Sequence, residues 1–172
     1  LTGDAFLADV KEAGKREGEL HLWWLGQSGF LLQCRGRHLL MDPYLSDSLT
    51  LKYSGTDKPH VRMTERVIAP ERLDFIDAVT SSHGHTDHMD PDTLKPLIRA
   101  NPSLAIIIPE ANRSLAVERL GIPADKPLGL NDGQSLTAAG FTIHALPSAH
   151  DAQETDAAGN HRYLGYVVEC GP

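Results

Sequence analysis

Four side chains able to hold a metal ion fall within six consecutive positions: His83, His85, Asp87 and His88, in the run Ser-Ser-His-Gly-His-Thr-Asp-His-Met-Asp at residues 81–90. Two histidines separated by one residue cannot share a helix face. They can point to the same side of an extended or looped backbone, so His83 and His85 can grip one ion together. Asp87 and His88 then turn towards a neighbouring site. Imidazole-rich ligation suits zinc, while the carboxylate admits manganese or iron. The plain alternative is a polar surface loop rich in histidine; matching both residue type and spacing by chance makes it the weaker reading.

Such a loop needs rigid elements on both sides. Residues 77–80 form a short apolar strand before it, and Asp90 followed by Pro91 supplies an N-cap and a first-turn proline for a helix over residues 91–99. Upstream, an amphipathic helix over residues 2–17, with Asp4 as its cap, ends at Gly18. Residues 20–25 alternate as a strand covered on both faces, which places Trp23 and Trp24 in the core. Residues 30–34 and 38–41 are two more strands joined through Arg35-Gly36, so three antiparallel strands are expected. Pro43 stops the third and leaves Asp42 at a strand end. There Asp42 either orients a metal-bound histidine through its second ring nitrogen or caps its own turn.

The aperiodic residues 44–66 read as a long functional loop forming one wall of the site. Beyond the helix over 91–99, residues 104–108 are a buried strand, 112–120 a second helix, and 134–136 and 141–146 a small meander. His150 follows that meander at another strand end, and residues 162–169 alternate as a last strand.

A chain of 172 residues, 41% hydrophobic and 23% charged, suits one soluble globular domain. A formal charge of −7 disfavours a nucleic-acid surface. No run of about eighteen apolar residues and no signal-peptide pattern is present, so no membrane span and a cytoplasmic address are expected. Cys34 and Cys170 are unpatterned and read as two small core residues, neither a disulfide framework nor a thiolate site. The first residue is Leu1 rather than Met, which puts the natural start elsewhere.

The motif His83-x-His85-x-Asp87-His88 resembles the signature of the metallo-β-lactamase superfamily, carried there between a buried strand and a helix. Within it, Trp24-Leu25-Gly26-Gln27-Ser28-Gly29-Phe30 and Asp42-Pro43-Tyr44-Leu45-Ser46 resemble the ascorbate-6-phosphate lactonase-like hydrolases. The resemblance implies an α/β fold, an αββα sandwich of which this single domain is the N-terminal half or somewhat more. It implies two divalent ions: His83, His85 and His150 on one, Asp87 and His88 on the other, five of roughly seven expected ligands. A metal-bound hydroxide would then open a small ester or lactone, with Asp87 able to take a proton. A phosphorylated substrate is open, with Arg62, His161 or Arg162 as anion contacts. A phosphodiesterase on lipid or nucleotide, or a noncatalytic metal-binding module, are the alternatives. The absent ligands and an uncovered sheet face imply a second polypeptide segment, from this gene or another chain; a homo-oligomer stays open.

Overall fold

Leu20–Gly26 (β1), Gly29–Cys34 (β2) and Arg37–Met41 (β3) pair antiparallel in sequence order, as the alternation and the Arg35-Gly36 turn require. The computed structural model describes residues 1–171. Ala78–Thr80 (β4), Ala105–Pro109 (β5) and Pro127–Leu130 (β6) then add parallel to β3, giving a six-stranded sheet in the order β1-β2-β3-β4-β5-β6. Parallel pairs need crossovers. Pro91–Ala100 (α3) links β4 to β5, and Arg113–Leu120 (α4) links β5 to β6. These helices and Gly3–Ala13 (α1) cover one face, where Phe6, Leu31, Leu40, Val79, Leu94, Leu97 and Ile106 form a continuous core.

The opposite face packs on a second, antiparallel sheet of Ser135–Ala138 (β7), Phe141–Pro147 (β8) and Leu164–Cys170 (β9). Leu32, Leu39, Ala78 and Ile107 of the first sheet meet Phe141, Ile143, Ala145 and Leu164 of the second. Three layers result, helices on a sheet on a sheet, which are the first three of the expected αββα order.

Several expectations are corrected. The helix over residues 2–17 is shorter: α1 stops at Ala13, and Asp4 lies in its first turn while Thr2 occupies the cap position. The long loop contains a short helix, Ser48–Tyr53 (α2). Strand β6 was not expected, because Pro127 and Gly129 are poor strand formers; it lies at the sheet edge, where a proline is tolerated. Gly129 is needed there, since a Cβ would sit 1.7 Å from Glu110 Oε2, in the space filled by the Glu110–Arg113 ion pair. Trp24 is not core: it is 55% exposed, in line with the exposed Leu20 and Leu22 on the free edge strand β1. Cys34 and Cys170 form a disulfide joining β2 to β9, and thus one sheet to the other. Sequence alone could not pair two cysteines whose strands are brought together only by the packing of the sheets.

Asp90 shows how the fold fixes the histidine loop. Fully buried, it caps α3 through Asp92 N, accepts from Thr93 Oγ1 at 2.6 Å and from Ser48 Oγ at 2.9 Å. Thr93 Oγ1 in turn accepts from Leu45 N. One carboxylate therefore joins the end of the motif to the segment after β3. Asp90→Ala is expected to cost about 3 kcal/mol, combining a lost cap with buried donors left unpaired. Chemical denaturation of the wild type and variant measures it.

Candidate functional site

The histidine loop leaves the end of β4 and is held from two sides. Arg119 Nη1 of α4 donates to Gly84 O at 2.7 Å and to Met89 O at 3.3 Å. From the second sheet, Leu164 N donates to Ser82 O at 2.9 Å and Tyr166 Oη to Ser81 O at 3.1 Å. Gly84 lies close under α4, where a Cβ would stand 2.6 Å from Leu115 Cδ2 and displace that side chain. Local helical turning brings His88 N and Met89 N onto His85 O. The backbone is set before any ligand arrives, as a site on rigid elements requires.

On this frame the rings of His83, His85, His88 and His150 gather. Centroids of His83 and His88 are 4.0 Å apart, His83 and His85 4.7 Å, His85 and His150 5.0 Å, and His83 and His150 6.4 Å. His150 is the outermost: its side chain is 52% exposed and its Nδ1 lies 3.2 Å from Asp151. Among the described residues, no three histidine, cysteine, aspartate or glutamate side chains converge on one point closely enough to hold a metal ion. Both cysteines are in the disulfide and supply no thiolate.

Asp42 stands at φ +44°, a left-handed conformation that is costly for a residue other than glycine and that turns its carboxylate back over the loop. That carboxylate accepts from Ser82 N at 2.7 Å, from Ser82 Oγ, and from His88 Nδ1 at 2.6 Å. A carboxylate can only accept here, so Nδ1 of His88 carries its proton. Nε2 is left 3.6 Å from Asp87 Oδ2. With a neutral ring these are two lone-pair atoms facing each other, an arrangement that calls for a proton or a cation nearby. Burial works against a charged His88, yet the Asp42 hydrogen bond and charge outweigh it and, with Asp87, raise its pKa above the usual imidazole value. His83 moves the other way: burial first, then the neighbouring His88 and His85, push it down to about 4. It is a neutral imidazole at neutral pH, the form that donates a lone pair to a metal.

Three residues to which sequence reasoning assigned no role belong to the site. Gln27, in the β1–β2 turn, donates from Nε2 to Asp87 Oδ2 at 3.2 Å, and its carbonyl accepts from Trp24 Nε1 at 2.9 Å. Ser82 contacts Asp42 and both His83 and His88. Tyr163 lays its ring 5.2 Å from His83 and 6.1 Å from His85 and His150. The unusual φ of Gln27 and Asp42 is invisible in a sequence, although Gln27 lies within a stretch already singled out. Of the three candidate anion contacts, Arg162 lines a cleft beside His85 and Tyr163 together with Glu154, whereas Arg62 lines a different one with Gln27. The backbone N–H of His161 donates to Asn131 Oδ1.

The chain matches the family described as "Beta-lactamase superfamily domain" over residues 21–171. It belongs to the metallo-β-lactamase superfamily. Among members, it is 28% identical over 160 residues to "N-acyl-phosphatidylethanolamine-hydrolyzing phospholipase D 1" of Caenorhabditis elegans, covering 88% of this chain and 44% of that protein. It is 23% identical over 157 residues to "Probable L-ascorbate-6-phosphate lactonase UlaG" of Escherichia coli, covering 80% of this chain and 44% of that one. Among solved structures, CmlA, a diiron β-hydroxylase from Streptomyces venezuelae, superposes with a TM-score of 0.62 at 22% identity, over 89% of this chain and 28% of that protein. That last likeness establishes the fold alone. The chain thus spans less than half the length of these superfamily members.

For any member built this way, the Asp42–His88 bond is separable from the rest. Asp42→Asn keeps the size and the tolerance of positive φ, but an amide is a weaker acceptor for Nδ1–H. Metal affinity is expected to fall about 10- to 100-fold with secondary structure unchanged. Competitive titration with a chromogenic chelator reads that change.

Proposed function

We propose that this protein is a metal-dependent hydrolase that opens a small ester or lactone. The observation that carries the reading is His88 held by Asp42 through Nδ1, with its Nε2 beside Asp87 and the rings of His83, His85 and His150 gathered next to it. This donor set fits divalent metal: neutral imidazoles and a carboxylate, with a carboxylate behind one ring to fix its tautomer. His83, His85 and His150 would hold one ion and Asp87 and His88 a second, with zinc the best match and manganese or iron admitted by the carboxylate share. When bound, such ions polarise a scissile carbonyl and lower the pKa of water to ~7.

This chain's own residues do the rest. Asp42 and Ser82 orient His88 and His83. Gln27 holds the Asp87 carboxylate in place, which leaves its other oxygen free to accept a proton. Tyr163 covers one side of the cluster and limits water there. The exposed Leu20 and Leu22 support a further polypeptide segment packing beside β9 and carrying the remaining ligands. A disulfide is typical of oxidising compartments, so the cytoplasmic address is not part of this proposal. Among the described residues, no helix is long and apolar enough to cross a membrane.

A second reading, phosphodiester cleavage, is favoured by the 28% identity to a protein named as a phospholipase D. The full-length protein, loaded in turn with zinc, manganese and iron, should be offered lactones, aryl esters and phosphodiesters. Turnover of lactone or carboxylic ester, abolished by chelation and restored by metal, is the expected result. Turnover of phosphodiesters alone selects the second reading. Tight metal binding without turnover of any of them identifies a noncatalytic module.

A further inference from the structure

A cleft of about 440 Å³, lined by Trp24, Gln27, Arg62, Met63 and Thr64, adjoins the site. It shares one side chain with it: Gln27, whose amide is bonded to Asp87. Arg62 is the sole charged residue lining it, and its guanidinium is unusually enclosed, with the side chain only 12% exposed. Nη1 is committed to Ser46 O at 2.9 Å and Tyr44 O at 3.4 Å, and the group lies 5.2 Å from the Tyr44 ring centroid. Nε is buried without a hydrogen-bond partner. The nearest carboxylate, that of the exposed Asp47, stands 3.9 Å from Nε, too far for a hydrogen bond and too solvated to neutralise it. Nη2 points towards the β1–β2 turn, where a side chain on Gly26 would come within 3.6 Å of it. Gly26 stands at φ +90°, and Thr64 Oγ1 fills the space a Cβ there would take, 2.7 Å from it.

An enclosed guanidinium whose Nη1 is committed to the loop and whose Nη2 is left beside a cleft wall free of acidic residues is a receptor for an oxyanion. Arg162, which lines the cleft beside His85, differs, since it shares that cleft with Glu154, whose charge opposes an anion there. We propose that Arg62 binds an oxyanionic group of the substrate, phosphate or carboxylate, with the exposed face of Trp24 against the adjoining apolar part. Its place in turnover rests on the hydrolase reading. Its capacity to bind an anion does not.

The test uses the full-length protein stripped of metal with a chelator, so that anions cannot bind to metal ions. Inorganic phosphate and acetate are titrated separately while tryptophan emission is followed, Trp24 being the reporter in the cleft. Saturable binding of one of them is expected, weakened about 10- to 100-fold in Arg62→Gln, and whichever binds more tightly names the group. Arg62 also braces the loop after β3, so a variant that fails to fold is replaced by labelling of the wild type. Phenylglyoxal should modify Arg62 slowly in the presence of the bound anion and several-fold faster without it, read by peptide mapping. Binding unchanged in Arg62→Gln, no binding of either anion, or labelling of Arg62 unaffected by the anion would each overturn the proposal. Protection of Arg62 in a protein that hydrolyses nothing would retain the subsite and remove the hydrolase.

Discussion

Replacing His83 and His85 together by alanine is expected to remove from the full-length protein the ion that they share. The two rings lie 4.7 Å apart on a loop pinned by Arg119 and by β9, so neither can be replaced by a neighbour moving in. Losing two imidazoles from one ion leaves His150, an exposed ring, as its remaining proposed ligand. Metal per protein, measured by plasma mass spectrometry after dialysis, should drop by about half or more, since the ion assigned to Asp87 and His88 is not touched directly. His144 provides the control, since it is paired with Glu169 on the second sheet and outside the cluster: His144→Ala should bind metal like the wild type. Equal loss in both variants would mean that histidines are loaded indiscriminately and would sink the assignment.

Asp87→Asn is expected to separate chemistry from folding. The amide oxygen can still accept from Gln27 Nε2, so the contact that positions the side chain survives. What disappears is the negative charge beside His88 Nε2 and any capacity to take a proton. Unfolding free energy should stay within about 0.5 kcal/mol of wild type, while turnover falls about 100-fold or more. Measuring kcat across a metal titration distinguishes weakened metal binding, which saturating ion would repair, from a lost proton acceptor, which it would not. Near-normal turnover at saturating metal rules out the proton acceptor, and wild-type turnover at every metal concentration rules out both roles for Asp87.

How far such a site can be read from sequence depends on the range of each interaction. His83, His85, Asp87 and His88 were legible because their relation is local: six positions between a buried strand and a capped helix. His150 and Asp42 were reachable one step further, since both stand at strand ends and the three-layer packing brings those ends together. Gln27 was not, although its stretch was quoted, because its partner lies 60 positions away and only the hairpin turn aims it there. Trp24 failed for a related reason. Alternation along residues 20–25 shows which side chains share a face, but not that β1 is the edge strand. Strand β6 was hidden by Pro127 and Gly129, whose tolerance depends on its edge position and on the ion pair above it.

The bond between Cys34 and Cys170 closes a covalent ring of 136 sequence positions, and Asp42, the whole histidine loop, His150 and Tyr163 all lie inside it. A protease that cuts the exposed segment near Thr56 or Lys58 would therefore separate no candidate ligand from any other. The nicked molecule would migrate as one species on a denaturing gel run without reductant and as two once thiol is added. Chain continuity through that loop becomes dispensable for keeping the ligands on one molecule, so the segment is a natural place to insert a reporter tag or a new pair of termini.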